Sequence, residues 1–155
     1  MAKSTCLVLL LLILAPAARA EPKTLYSEVF AGLRAAEFDL GILERLASSQ
    51  DAYNVREWDR TTQALARLEA VWAQSRLRLD EASPPKHQEL WEKTSRMLTL
   101  QQGLATRCAY VVQSEFRPDG ASEVTDPQSL KRAKDEIEQL RAAYSQVSSE
   151  LSRKL

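Results

Sequence analysis

From Leu130 to the chain end, apolar side chains return every three or four residues: Leu130, Ala133, Ile137, Leu140, Tyr144, Val147, Leu151 and Leu155. That period matches the 3.6-residue turn of an α-helix and places all eight on one side of it, whereas a strand would scatter them over both faces. A helix with such a stripe needs partners to cover it. Two other stretches carry the same signal. Trp58, Thr61, Leu65, Leu68, Trp72, Ser75 and Leu79 form one stripe, and Leu90, Thr94, Met97, Gln101, Leu104, Cys108 and Val111 form another, widened by Trp91, Leu98 and Val112. A fourth, less regular segment runs from about Lys23 to Ser49 on Leu25, Val29, Ala36, Leu40, Leu43 and Leu46, with Phe30 and Leu33 beside them.

The segments are separated at Gln50 to Tyr53, Glu81 to Pro84 and Arg117 to Thr125. Asp126 followed by Pro127 reads as an N-cap with proline at the first helical position, where its missing N–H costs nothing. Asn54 and Glu57 have the spacing of a capping box. Helices of roughly 25 to 32 residues reach ~40–45 Å, and short connections turn neighbours antiparallel. The expected fold is therefore all-α, an antiparallel up-down-up-down four-helix bundle of long helices. The same stripes could instead serve a coiled-coil hairpin that dimerises, but Trp91, Leu98 and Val112 make the third stripe wider than a two-helix seam needs. Gly41 and Gly103 fall inside helices, where the favoured reason is close helix packing and the other a kink beside a cavity.

The first twenty residues have a separate logic. Lys3, the apolar run Leu7 to Ala15, and Ala18-Arg19-Ala20 before Glu21 have the layout of a secretory leader. The run meets Pro16 and Arg19 well short of the ~20 apolar residues of a spanning helix. The expected organisation is a cleaved signal peptide over 1–20 and one helical domain over 21–155. This makes the product periplasmic or secreted, with the bacterial periplasm favoured and no integral membrane segment after cleavage.

Charge and composition then narrow the chemistry. The whole chain has 21 Lys+Arg and 21 Asp+Glu; loss of Lys3 and Arg19 leaves 19 against 21. No surplus of positive charge is present for phosphate neutralisation, so nucleic acid is not an expected partner. Cleavage also removes Cys6, leaving Cys108 alone and excluding an internal disulfide. Cys108 lies on the third stripe and is expected to be a buried thiol, the alternative being a disulfide to a second subunit or a redox thiol. A single His, His87, cannot supply the Glu-x-x-His pairs of a di-iron bundle. His87 and Met97 sit ~15 Å apart along one helix and cannot ligate two faces of one haem iron. No metal, no cofactor and no catalytic residue is expected.

Three residues are candidate ligand or partner contacts. Trp58 and Trp72 are fourteen residues apart and share a helix face, so they would line an apolar slot or belong to the core. Gln101 interrupts an apolar stripe; inside a bundle it either fixes register or lines a pocket, since a buried amide without partners costs ~1–3 kcal/mol.

Two resemblances bear on function. Leu98-Thr99-Leu100-Gln101-Gln102 is similar to the L-T-x-x-Q signature of the Spy/CpxP family, exported helical chaperones and stress regulators. The likeness covers five residues, occurs once and falls mid-helix, whereas the family carries it twice near helix starts, so it implies a class of function and not membership. Leu33 to Asp39 faintly resembles the opening helix of exported helical chorismate mutases, but with different acidic spacing and no further motif. The expectation is a non-enzymatic, exported bundle acting by protein–protein contacts in the cell envelope, chaperone-like or a stress-response accessory. Its partner would be another envelope protein or a second copy in a homodimer. The alternative is a bundle binding a small apolar ligand, and behind it a small secreted helical enzyme.

Overall fold

The computed structural model describes residues 22–49, 55–82, 86–115 and 126–155. The leader expected over 1–20 and the cap expected at Asn54 lie outside them. The described residues form α1 (Pro22–Ala35), α2 (Glu37–Ser48), α3 (Val55–Glu81), α4 (Gln88–Glu115) and α5 (Pro127–Lys154), with no strand among them. This is an all-α four-helix bundle whose first long helix is broken at Ala36 into α1 and α2.

Cross-helix pairs give the directions. Glu28 meets Arg78 and Asp39 meets Arg67, so numbers rise along the first helix as they fall along α3. Trp91 Nε1 donates to the Leu79 carbonyl at 3.3 Å, and Trp72 meets Gln101, so α3 and α4 are likewise opposed. Glu89 with Lys154, Lys93 with Glu150, Arg107 with Glu136 and Glu115 with Lys134 set α4 against α5 in opposite sense. Lys134 thus reaches across to Glu115 on the neighbouring helix, at 2.9 Å.

The start of α5 follows from its sequence. The Asp126 carboxylate accepts from the Gln128 N–H at 3.2 Å and from the Ser129 hydroxyl at 3.0 Å, with Pro127 opening the helix. These donors hold the Asp126 carboxyl below its usual range, the Gln128 N–H being the largest influence. Such a cap is worth ~1 kcal/mol.

α4 is the central helix. Met97, Leu98, Leu104, Ala105, Cys108, Val111 and Val112 are all fully buried, and α4 packs against each of the other four segments. That is the physical reason its apolar stripe is wider than a two-helix seam needs. Around it the core takes Leu33, Leu40 and Leu43 from the first helix, Ala64, Leu68 and Leu79 from α3, and Ala133, Tyr144, Val147 and Leu151 from α5. Tyr26 and Ala47 also belong to it, although the sequence pattern passes over both.

α5 lies mainly on α4 and meets α2 through a few polar contacts. Gly103 sits where α4 faces α5, and a Cβ there would meet the Leu140 methyl groups at 3.7 Å, an ordinary van der Waals distance; at Gly41 it would meet nothing within 4 Å. Neither helix crossing therefore requires glycine.

Two stability predictions result. Gly103→Ala and Gly41→Ala should each raise stability by about 1 kcal/mol, from helix propensity, read as a higher urea midpoint with unchanged slope. Tyr26 is fully buried and its hydroxyl has no hydrogen-bond partner among the described residues. Removing that hydroxyl in Tyr26→Phe should leave stability unchanged or raise it by about 1 kcal/mol, because an unpaired buried donor carries its full desolvation cost; a loss above that size would mean the hydroxyl is satisfied.

Candidate functional site

Of the three residues singled out by sequence, the structure brings two together. Trp72 and Gln101 are buried where α3 faces α4, and the Trp72 indole N–H donates to Gln101 Oε1 at 3.0 Å. Trp58 is half-buried in the first turn of α3, ~21 Å from Trp72 along the helix axis. The indoles therefore do not form one slot with Gln101.

Gln101 has one amide oxygen and two N–H donors, and all three are engaged. Nε2 donates to the Leu33 backbone carbonyl at 2.9 Å and to the Tyr144 hydroxyl at 3.1 Å. One side chain on α4 thus ties itself to α1, α3 and α5. The Leu33 carbonyl is the one an unbroken helix would offer to the Glu37 N–H, and the helix break falls between them at Ala36. A side chain inserted into the backbone ladder is a recognised cause of a helix kink. The flanking turns survive: Ala36 N–H bonds the Gly32 carbonyl and Leu40 N–H bonds the Ala36 carbonyl, both at 3.1 Å.

The network continues to the surface. Tyr144 O–H donates to Glu37 Oε1 at 2.9 Å, and Arg34 donates to the same oxygen at 2.6 Å. Donors from Trp72 through Gln101 and Tyr144 therefore all point toward one carboxylate, so each bond polarises the next. Burial, then the facing Glu37 carboxylate, pushes the Tyr144 phenol well above its usual range. Beside it, Arg141 lies over the Tyr144 ring at 5.7 Å and grips Glu44 with two nitrogens.

Where α5 passes the first helix, the carboxylate end of this network opens into a cleft of about 510 Å³. Phe30, Arg34 and Glu37 form one wall. The other is α5, with Arg141, Tyr144 and Arg153 around Ser145, Ser148, Ser149 and Ser152. The serines are spaced 3, 1 and 3, which puts them on one helix face, and their small side chains leave the space that defines the cleft. Neither tryptophan nor Gln101 lines it. The sequence signal for it was a serine-rich helix face beside two arginines, which apolar periodicity does not detect.

Cys108 is fully buried, as expected, and burial pushes its thiol up to about 12, the nearby Glu44 adding to the effect. No group of acidic, His and Cys side chains suited to a metal ion occurs among the described residues. No described helix is long and apolar enough to cross a membrane. No protein-family model, no curated protein and no solved structure matches the chain.

Two expectations can be measured. Gln101→Ala would leave the Trp72 N–H, the Leu33 carbonyl and the Tyr144 hydroxyl without their shared partner, and should cost about 3 kcal/mol or more in urea unfolding. Alkaline pH should also destabilise the fold. Above pH ~9 the unfolded chain gives up the Cys108 proton, and above ~10 the Tyr144 proton, while the folded protein keeps both because its values are raised. The unfolded state then binds fewer protons, so stability falls as pH rises, by about 1 kcal/mol per pH unit for each group. Cys108→Ala should remove the part of this slope that begins near pH 9, and the native thiol should react with Ellman's reagent only as fast as the protein opens.

Proposed function

We propose that the protein is an exported, non-enzymatic binding module that works through contacts with another protein of the cell envelope. The supporting observation is how its polar interior is used. Gln101 and Trp72, the buried groups best suited to orient a ligand, spend their hydrogen bonds on each other and on neighbouring helices. The large cavities that touch chemically useful side chains are open clefts between helix surfaces, such as that along α5 and a second of about 910 Å³ between α4 and α5. Surfaces of this kind suit a partner that lies along the bundle more than a small apolar ligand enclosed within it.

The experiment is affinity capture from the native envelope with the purified protein as bait, followed by mass spectrometry after chemical cross-linking. A cross-linked protein partner, with links mapping to helix exteriors, is the expected result. Recovery of a small molecule alone would overturn this reading in favour of a ligand carrier. Turnover of a substrate would overturn the non-enzymatic part.

A further inference from the structure

We infer that the cleft between the first helix and α5 receives an extended acidic segment of the partner protein, a refinement that rests on the protein-contact reading above. Three observations meet there. Ser148 is 5 % exposed, lines the cleft, and its hydroxyl has no hydrogen-bond partner among the described residues. A hydroxyl so nearly enclosed, yet left open to one cleft, is set to bond whatever lies in it. Arg153, at one end of the cleft, has no ion pair among the described residues; its guanidinium meets only the Ser149 hydroxyl, at 3.4 Å. Arg34 and Arg141 are already matched by Glu37 and Glu44, so Arg153 is the cation in surplus.

Dimensions select an extended chain. From Arg141 to Arg153, α5 advances about 18 Å. At about 3.3 Å per residue, five or six residues of extended peptide cover that distance. The serine hydroxyls of α5 can both donate and accept, which suits a peptide backbone with N–H and C=O on alternating sides. Acidic side chains on the same peptide would reach Arg153, which can engage a carboxylate with two parallel N–H donors.

The test uses fluorescence anisotropy with a fluorescein-labelled six-residue peptide of alternating Glu and Ala, and its Lys/Ala counterpart as control. Saturable binding of the acidic peptide alone is expected, weakening at least about fivefold between 50 and 200 mM salt because the charges are exposed. Arg153→Glu and Ser149→Glu change exposed positions outside the core and should each weaken binding about tenfold or more, with an unchanged circular-dichroism spectrum and urea midpoint. Ser148→Ala should weaken it severalfold. Absence of binding, equal binding of the Lys/Ala peptide, or indifference to both charge variants overturns the inference. So does full competition by inorganic phosphate or succinate at concentrations equal to the peptide, which would assign the cleft to a small anion. Envelope capture repeated with Arg153→Glu separates the two readings. A protein partner retained undiminished refutes the cleft assignment alone, and no captured protein with either bait refutes both.

Discussion

One amide side chain holds the middle of this bundle in register. Burial of Gln101 without partners would be expensive, so the fold is constrained to bring an indole N–H, a backbone carbonyl and a phenol to its three polar positions at once. Apolar stripes alone permit one helix to slide along another by a turn with little loss of buried area. A group that must be satisfied by three different helix segments does not permit it, because any slip orphans several partners together. The break at Ala36 is part of the same arrangement, since the first helix gives up a rung of its own ladder to supply the carbonyl.

The rest of the energetics falls into two layers. Around α4 the core is a continuous apolar cluster, and large-to-small changes at residues such as Leu104 or Met97 would cost the usual several kcal/mol of a buried cavity. Outside it, ion pairs join neighbouring helices, most of them between half-exposed side chains whose individual contributions are small. The first helix and α5 differ from the other neighbours. They are joined by Glu37 with Tyr144 and Glu44 with Arg141, with serines between them, and this thinner packing is what leaves a cleft.

Much of the architecture was legible in the chain. The stripes of α3, α4 and α5, the Asp126 cap and the burial of Cys108 follow from periodicity and cap chemistry, which act over a few residues. The break at Ala36 was not legible, because the side chain that takes up the Leu33 carbonyl beside it lies 68 positions away, beyond what local propensity sees. Gln101 stood out as polar within an apolar stripe, but whether it served register or a pocket depended on Tyr144 and Trp72 facing it. The α5 cleft escaped for the opposite reason: it is made by serines too small to fill a gap, and apolar patterning records what is present in a core and not what leaves room.

The tie from α4 to α1 ends on a main-chain oxygen, and this makes the contact lopsided under mutation. Residue 33 presents its carbonyl whatever its side chain, so Leu33 is replaceable by any residue that fills the same volume, while position 101 admits nothing without an acceptor and two donors in one plane. The two partners of a single bond therefore differ in what they admit, one taking the few hydrocarbon side chains of leucine's size and the other a lone letter.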